Sequence, residues 1–115
     1  MDLTVIDLTR NEKAELRRLS AEAYEQELVV ALGSLEEQFK LWRAGKLGVF
    51  DLDEQIHKYY SGARRELYKC YVMSGNHLSC VVNAIARDLL QEASISPVLW
   101  QKLHPMVRTY SLATE

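Results

Sequence analysis

The feature that most constrains this chain is a long stretch without a helix breaker. Between Asn11 and Ala44 there is no proline and a single glycine, Gly33. A helix of this length, rising 1.5 Å per residue, would extend roughly 50 Å. The whole chain of 115 residues contains only five glycines and two prolines, so turns are few and the elements between them are long. The sequence therefore predicts an all-α fold in one domain, residues 1–115, with a first helix over residues 10–44.

The first helix has two apolar stripes, about 100° apart on a helical wheel. Residues of the first stripe are Leu16, Leu19, Ala23, Val30 and Leu41, and those of the second are Tyr24, Leu28, Ala31, Leu32, Leu35, Phe39 and Trp42. A helix with two such stripes is covered on more than one side. It either lies at the centre of a bundle or also faces a second subunit, and we expect a homodimer in which two helical hairpins form a four-helix bundle. Gly33, followed by Ser34 and Glu37, could instead mark a kink or a restart of the helix.

A second helix is predicted over residues 51–73, antiparallel to the first. Gly45 and Gly48 punctuate the turn between the two helices. Asp51 and Glu54 match a helix-start capping pair, and Gly75 suits the C-terminal cap. The two long helices would then form an antiparallel hairpin.

A third helix is expected over residues 77–93 and a short fourth over residues 97–104. Ser96 followed by Pro97 is typical of a helix start, because proline fits the first helical position. His104 and Pro105 would end the fourth helix, and residues 106–114 would be extended. At the other end, we expect residues 1–9 to form an extended arm and Thr9 with Glu12 to make a capping box for the first helix.

Composition and local patterns limit the location of the chain. The longest apolar run, residues 28–32, is far shorter than the roughly 20 residues of a membrane span. The first residues lack the basic start and apolar core of a signal peptide, which favours a cytoplasmic protein. Cys70 and Cys80 have no metal-binding or redox spacing, so we expect two buried, reduced thiols.

The candidate site lies on one flank of the second helix. His57, Ser61, Arg64 and Tyr68 follow one another at spacings of four, three and four, and side chains at such spacings can touch. Tyr60 lies at the inner edge of this flank. A guanidinium fork, an imidazole and tyrosine rings suit recognition of a ligand or a partner.

A structural role for the same flank competes with this hypothesis. Arg64 would then pair with an acid of the first helix, the choices being Glu22, Glu25 and Glu27. Gly62 lies near the buried stripe, made up of Leu52, Ile56, Tyr59, Ala63, Leu67 and Cys70, and its position suggests close approach of another backbone.

Metal, cofactor and catalytic signatures are lacking in the sequence. Glu54 and His57 match one E-x-x-H element of di-metal bundles, but those sites need a second copy and two more glutamates. No nucleophile elbow, phosphate loop or zinc motif is present. We therefore expect no metal site and no cofactor.

Charge is unevenly distributed along the chain, whose net charge is −2. Residues 1–39 hold nine acids against four bases, and residues 40–71 hold seven bases against four acids. The basic second helix could bind nucleic acid, but its cations spread around the helix and no helix-turn-helix pattern is present. An acidic first helix that packs against a basic second one explains the same pattern.

The stretch 56–68, I-H-K-Y-Y-S-G-A-R-R-E-L-Y, resembles segments of small bacterial helical proteins of uncharacterised function. The resemblance covers residues 50–71 and implies no activity or residue role. The prediction from the sequence is a small cytoplasmic helical protein without catalysis that acts as an interaction or regulatory module. The alternatives are a small-ligand- or metal-binding bundle that uses His57 and Arg64, and a nucleic-acid binder.

Overall fold

The computed structural model describes residues 7–114, with side chains as far as Ser111, and residues 1–6 of the predicted extended arm lie outside this range. Within it the chain forms four helices, which cover α1 (Arg10–Arg43), α2 (residues 49–73), α3 (His77–Ala86) and α4 (Pro97–Thr114). No strand occurs in the described range, which confirms the all-α prediction. No helix in this part of the chain is long and apolar enough to cross a membrane.

Local capping chemistry sets both ends of α1. The backbone N–H of Thr9 donates to Glu12 Oε1 at 2.7 Å, and the backbone N–H of Glu12 donates to Thr9 Oγ1 at 3.2 Å, so the predicted capping box is formed. At the other end Gly45 has a φ of 76°, in the left-handed region where glycine carries no Cβ penalty. The helix runs without interruption through Gly33, so the alternative of a restart there is wrong.

The described residues group into two compact units. The first contains residues up to Ala23 together with residues 75–114, and the second is the hairpin unit, residues 24–74. The division falls within α1 and accounts for only part of its two apolar stripes, because Val30 and Leu41 of the first stripe lie in the hairpin unit and are exposed. Leu16, Leu19 and Ala23 of the first stripe are buried in the first unit, whereas much of the second stripe is half-buried in the hairpin unit.

The core of the first unit is formed by aliphatic side chains of three helices. Leu19, Val81, Leu99 and Leu103 are almost completely buried. Helix α4 begins at Pro97 as predicted, and the backbone N–H of Leu99 donates to the Oγ of the capping residue Ser96 at 3.4 Å. Glu15, which was not predicted to take part in this helix start, accepts hydrogen bonds from the backbone N–H and the hydroxyl of Ser96, both at 2.7 Å.

The predicted end of the third helix at residue 93 is wrong, because α3 ends at Ala86. Asp88 follows with a φ of 61°. The N–H of Leu89 donates to the carbonyl of Ala84 at 2.8 Å, and the N–H of Asp88 donates to that of Ile85 at 3.0 Å. These two bonds form a Schellman motif, with an aspartate in the left-handed position that glycine usually occupies.

The predicted stop at His104 and Pro105 is also wrong. The fourth helix does not end at residue 104 but continues through Pro105 to Thr114, so residues 106–114 are helical rather than extended. Proline removes one backbone hydrogen bond from a helix interior. Burial of Leu103 and Met106 on either side of Pro105, and a 2.7 Å hydrogen bond from Asn83 Nδ2 to Tyr110 Oη, hold the second half of the helix in place.

Helix α2 differs from a regular α-helix in containing two π-helical turns, Tyr59–Ala63 and Lys69–Met73. The N–H of Arg64 donates to the carbonyl of Tyr59, and the N–H of Ser74 donates to that of Lys69, each five residues back. Each such turn holds one residue more than an α-helical turn. The helix also begins at Val49, with Gly48 as N-cap and no side-chain capping bond, so the predicted capping by Asp51 and Glu54 is wrong.

The extra residues change which side chains of α2 face inward. The inward positions, buried or half-buried, are Leu52, Gln55, Tyr59, Gly62, Leu67 and Tyr71. Ala63 and Cys70, predicted to be buried, are exposed, because the wheel of a regular helix drifts out of register at each π turn. Ile56, also predicted to be buried, precedes both π turns and is 38% exposed. Cys70 and Cys80 are free thiols as predicted, but Cys70 is exposed and Cys80 half-buried, so the prediction that both are buried is wrong.

Candidate functional site

The open end of the hairpin unit is fixed by an aromatic contact. The rings of Tyr24 and Tyr71 are stacked, with centroids 5.1 Å apart and planes within 7° of each other. The hydroxyl of Tyr71 also donates a hydrogen bond to Glu27 Oε2. Because Tyr71 is only 8% exposed, it sets the rotation of α2 against α1.

One row of exposed side chains runs along α2 at a spacing of four residues. This exposed row consists of Ile56, Tyr60, Arg64, Tyr68 and Val72. In a regular α-helix a four-residue row drifts 40° per step and would spiral through about 160°. The π turns remove most of that drift, so the row stays on one side of the helix, next to the inward positions.

The guanidinium of Arg64 lies over the ring of Tyr60, with Cζ 4.9 Å from the centroid. This is a cation–π contact between two side chains of the exposed row. Among the described residues no acid forms an ion pair with Arg64. Of the acids considered as its partners, Glu27 accepts from Tyr71 and Glu22 pairs with Arg18 at 2.8 Å.

His57 and Ser61 lie on the neighbouring row and point further outward. The hydroxyl of Ser61 donates to the backbone carbonyl of His57 at 2.8 Å, so it is engaged within its own helix. The structure thus separates the five predicted site residues into two sets. Tyr60, Arg64 and Tyr68 share the exposed row, and His57 and Ser61 do not.

The flank of α1 beside the exposed row combines apolar and charged side chains. A shallow groove of about 380 Å³ runs along it, lined by Leu32, Leu35, Glu36, Phe39, Lys40 and Arg43. When two antiparallel helices pack together, the positions one residue after the inward-facing ones lie on the same side of the pair in both helices. This flank of α1 and the exposed row of α2 both follow the inward positions in this way. They therefore form one surface, which we call the apolar face.

The opposite side of α2 is polar. Its positions are Glu54, Lys58, Glu66 and Cys70, all exposed. Of the large apolar side chains exposed among the described residues, every one except Val98 belongs to the hairpin unit. The hairpin unit therefore carries nearly all of the exposed large apolar side chains of the described residues.

Metal-ligating side chains are not clustered. No group of three or more His, Cys, Asp or Glu residues in the described part of the chain could hold a metal ion. Glu54 and His57, the residues of the E-x-x-H element, are both exposed on the outside of α2.

A buried ion pair in the first unit was not predicted from the sequence. Glu12, only 6% exposed, accepts a hydrogen bond from Lys102 Nζ at 2.7 Å. That bond, together with the one from the Thr9 N–H, holds the pKa of the Glu12 carboxyl below its ordinary value of 4.5. The capping box signalled the position of Glu12, but a partner 90 residues away has no local signal.

The first unit also has a shallow concave surface of about 500 Å³ beside Trp100 and His104. These two rings lie 5.2 Å apart between centroids, with planes tilted by 53°. Both come from α4, at a spacing of four residues, and the predicted site did not include them.

Comparison of the chain with protein-family models, with curated protein sequences and with solved structures gives no significant match. The functional argument for this chain therefore depends on its own residues.

Proposed function

We propose that this protein is a non-catalytic protein-interaction module, and that the apolar face of the hairpin unit is its docking surface. The observation that carries the proposal is the exposure of large side chains along one face. Tyr60 is 63% exposed, Tyr68 42% and Val72 48%. Contiguous exposed apolar surface of this kind is typical of interaction sites in soluble proteins.

The small core of the hairpin unit supports this proposal. Only two of its large apolar side chains, Leu52 and Tyr71, are buried among the described residues. Amphipathic helices are stabilised mainly by burying an apolar face against another element. A partner on the apolar face would supply the burial that the two helices lack.

The residue types of the exposed row also suit protein recognition. Tyrosine and arginine are enriched among the residues that dominate binding energy at interfaces. Arg64 over Tyr60 presents a flat, partly ordered surface, which lowers the entropy lost when a partner binds.

The two alternatives are less well supported. A small-ligand site needs a concave pocket with converging polar groups, whereas His57 and Arg64 are exposed on different rows. A nucleic-acid interface needs a continuous cationic patch. Lys58 lies on the polar side of α2, Arg64 in the exposed row and Arg65 on the outward row, so these charges do not converge.

Site-specific photo-crosslinking tests the proposal. A photoreactive phenylalanine would replace Tyr60 in one version of the protein and Lys58, on the polar side, in the other. After irradiation in cells that produce the protein, the adducts would be identified by mass spectrometry. We expect a discrete protein adduct from position 60 and none from position 58. The same adducts from both positions, or none from either, would reject the docking surface.

A further inference from the structure

We propose that the partner docked on the apolar face is a second copy of this chain, so that two hairpin units form a four-helix bundle. This inference rests on the proposed function and names its partner. Three properties of the apolar face support it: its size, its charges and the position of those charges along the hairpin.

The size of the face fits a small symmetric dimer. The hairpin part of α1, residues 24–43, is about 30 Å long, and two helices side by side are about 20 Å wide. A face of these dimensions covers roughly 600 Å² per copy before its roughness is counted. Two such faces reach the lower bound of specific interfaces, about 1,200 Å² in total.

The face carries charges of both signs, since Arg64, Lys40 and Arg43 are cations and Glu36 is an acid. In a dimer with two-fold symmetry the same surface occurs on both sides, so a self-docking face that forms ion pairs across the interface must carry both signs of charge. Arg64 lies within the exposed row and forms no ion pair with an acid among the described residues. Glu36 lines the groove on the α1 side of the same face, and its side chain is 69% exposed.

Glu36 is only weakly engaged within its own chain. Lys40 Nζ lies 3.7 Å from Glu36 Oε1 but 3.1 Å from Glu37 Oε1, and its hydrogen bond goes to Glu37. Exposed pairs of this kind contribute little to stability, so Glu36 can change partner at small cost.

The positions of Arg64 and Glu36 fit a two-fold axis. The stacked pair Tyr24 and Tyr71 fixes the levels of the two antiparallel helices, which places Arg64 about level with Ala31 of α1. Glu36 is five residues further towards the hairpin turn, or about 7 Å along the helix. A two-fold axis that lies between the two docked faces, perpendicular to the helices and midway between these levels, brings each Arg64 to the level of Glu36 in the second copy.

The test is a charge-reversal cycle, measured by size-exclusion chromatography with light scattering and by sedimentation. We expect the unmodified chain at tens of micromolar to have twice the 13.2 kDa mass of one chain. Arg64→Glu and Glu36→Arg should each weaken dimerisation about tenfold or more, and the double variant should recover to within about threefold of the unmodified chain. Arg65→Glu, the same charge change one residue away on the outward row, should have less than about a twofold effect. Circular dichroism would verify that each variant is folded.

Each other outcome overturns the inference. A monomer at 100 µM would exclude the second copy as the partner. If neither charge reversal weakens the dimer, or if the double variant stays as weak as the single ones, the contact between the copies lies elsewhere. If the chain is monomeric while position 60 still crosslinks to a different protein, the proposed function stands and only the second copy is rejected. A monomer without crosslinks rejects both.

Discussion

The first π turn of α2 predicts an asymmetry between deleting and inserting one residue. Tyr59–Ala63 holds one residue more than an α-helical turn. Deleting Gly62 should therefore convert this turn to a regular α-helical one and leave Leu67 and Tyr71 facing inward. Inserting an alanine after Gly62 adds a second extra residue and rotates everything beyond it by about 100°. In a regular helix the two changes would be about equally harmful.

The size of the asymmetry follows from what Tyr71 contributes. Burying a large apolar side chain is worth about 1.5–3 kcal/mol, and a stacked aromatic pair adds about 0.5–1.5 kcal/mol. The insertion should thus cost about 2–4.5 kcal/mol. The deletion keeps the Tyr24–Tyr71 stack and removes a glycine that costs about 1 kcal/mol in a helix interior, so it should change stability by less than about 1 kcal/mol.

Urea unfolding followed by circular dichroism would measure both variants, at one fixed protein concentration because any dimer makes stability depend on concentration. The refuting result is a deletion that destabilises the protein as much as the insertion does. That outcome would mean that the π turn does not hold a removable residue and that the exposed row has been assigned incorrectly.

Three further substitutions test other features of the fold. Asp88→Gly should stabilise the protein by about 1 kcal/mol, because glycine adopts the left-handed conformation after α3 without a Cβ penalty; an unchanged urea midpoint would contradict this. Pro105→Ala should stabilise it by about 1–3 kcal/mol by restoring a hydrogen bond inside α4, and a lower melting temperature would show that proline is required there. The pKa of Glu12 is lowered in the folded state, so its contribution is present above pH 4.5 and is lost as the pH falls below that value. Glu12→Gln should make the free energy of unfolding depend less on pH in this range. A variant whose stability falls with decreasing pH as steeply as that of the unmodified chain would exclude the Glu12–Lys102 pair as the cause of the pH dependence.

The parts of the fold that the sequence predicts are those with a local chemical cause. Thr9 and Glu12 begin α1 through hydrogen bonds three residues apart, and Ser96 begins α4. Gly45 and Gly75 mark helix ends because their φ values are positive. Each of these signals lies within a few residues of the structure that it determines.

The features that the sequence does not predict depend on distant contacts or have no residue signature. Pro105 lies inside α4 because the helix on both sides of it is buried, which no local pattern indicates. Asp88 occupies a position where glycine is the usual signal. No residue type or sequence pattern in α2 indicates where its π turns lie.

The same π turns explain why the residues of the predicted site lie on two rows of α2. A regular wheel places His57, Ser61, Arg64 and Tyr68 on one flank. The extra residue in the first π turn turns Arg64 and Tyr68 back by about 100° relative to His57. Arg64 and Tyr68 thereby share a row with Tyr60, although the sequence places Tyr60 only at the edge of the site.

The division of the chain into two units has a consequence for how such a protein can change. The hairpin unit is a continuous segment, residues 24–74, whereas the first unit is made from the pieces before and after it. Tyr24 and Tyr71 stack, so the segment begins and ends at nearly the same place. A segment with adjacent ends can be exchanged, lengthened or shortened at small entropic cost to its host. The hairpin unit can thus be exchanged as a whole segment. A chain of this design could acquire a new partner by replacing its hairpin unit while keeping the core around Leu19 and Leu99.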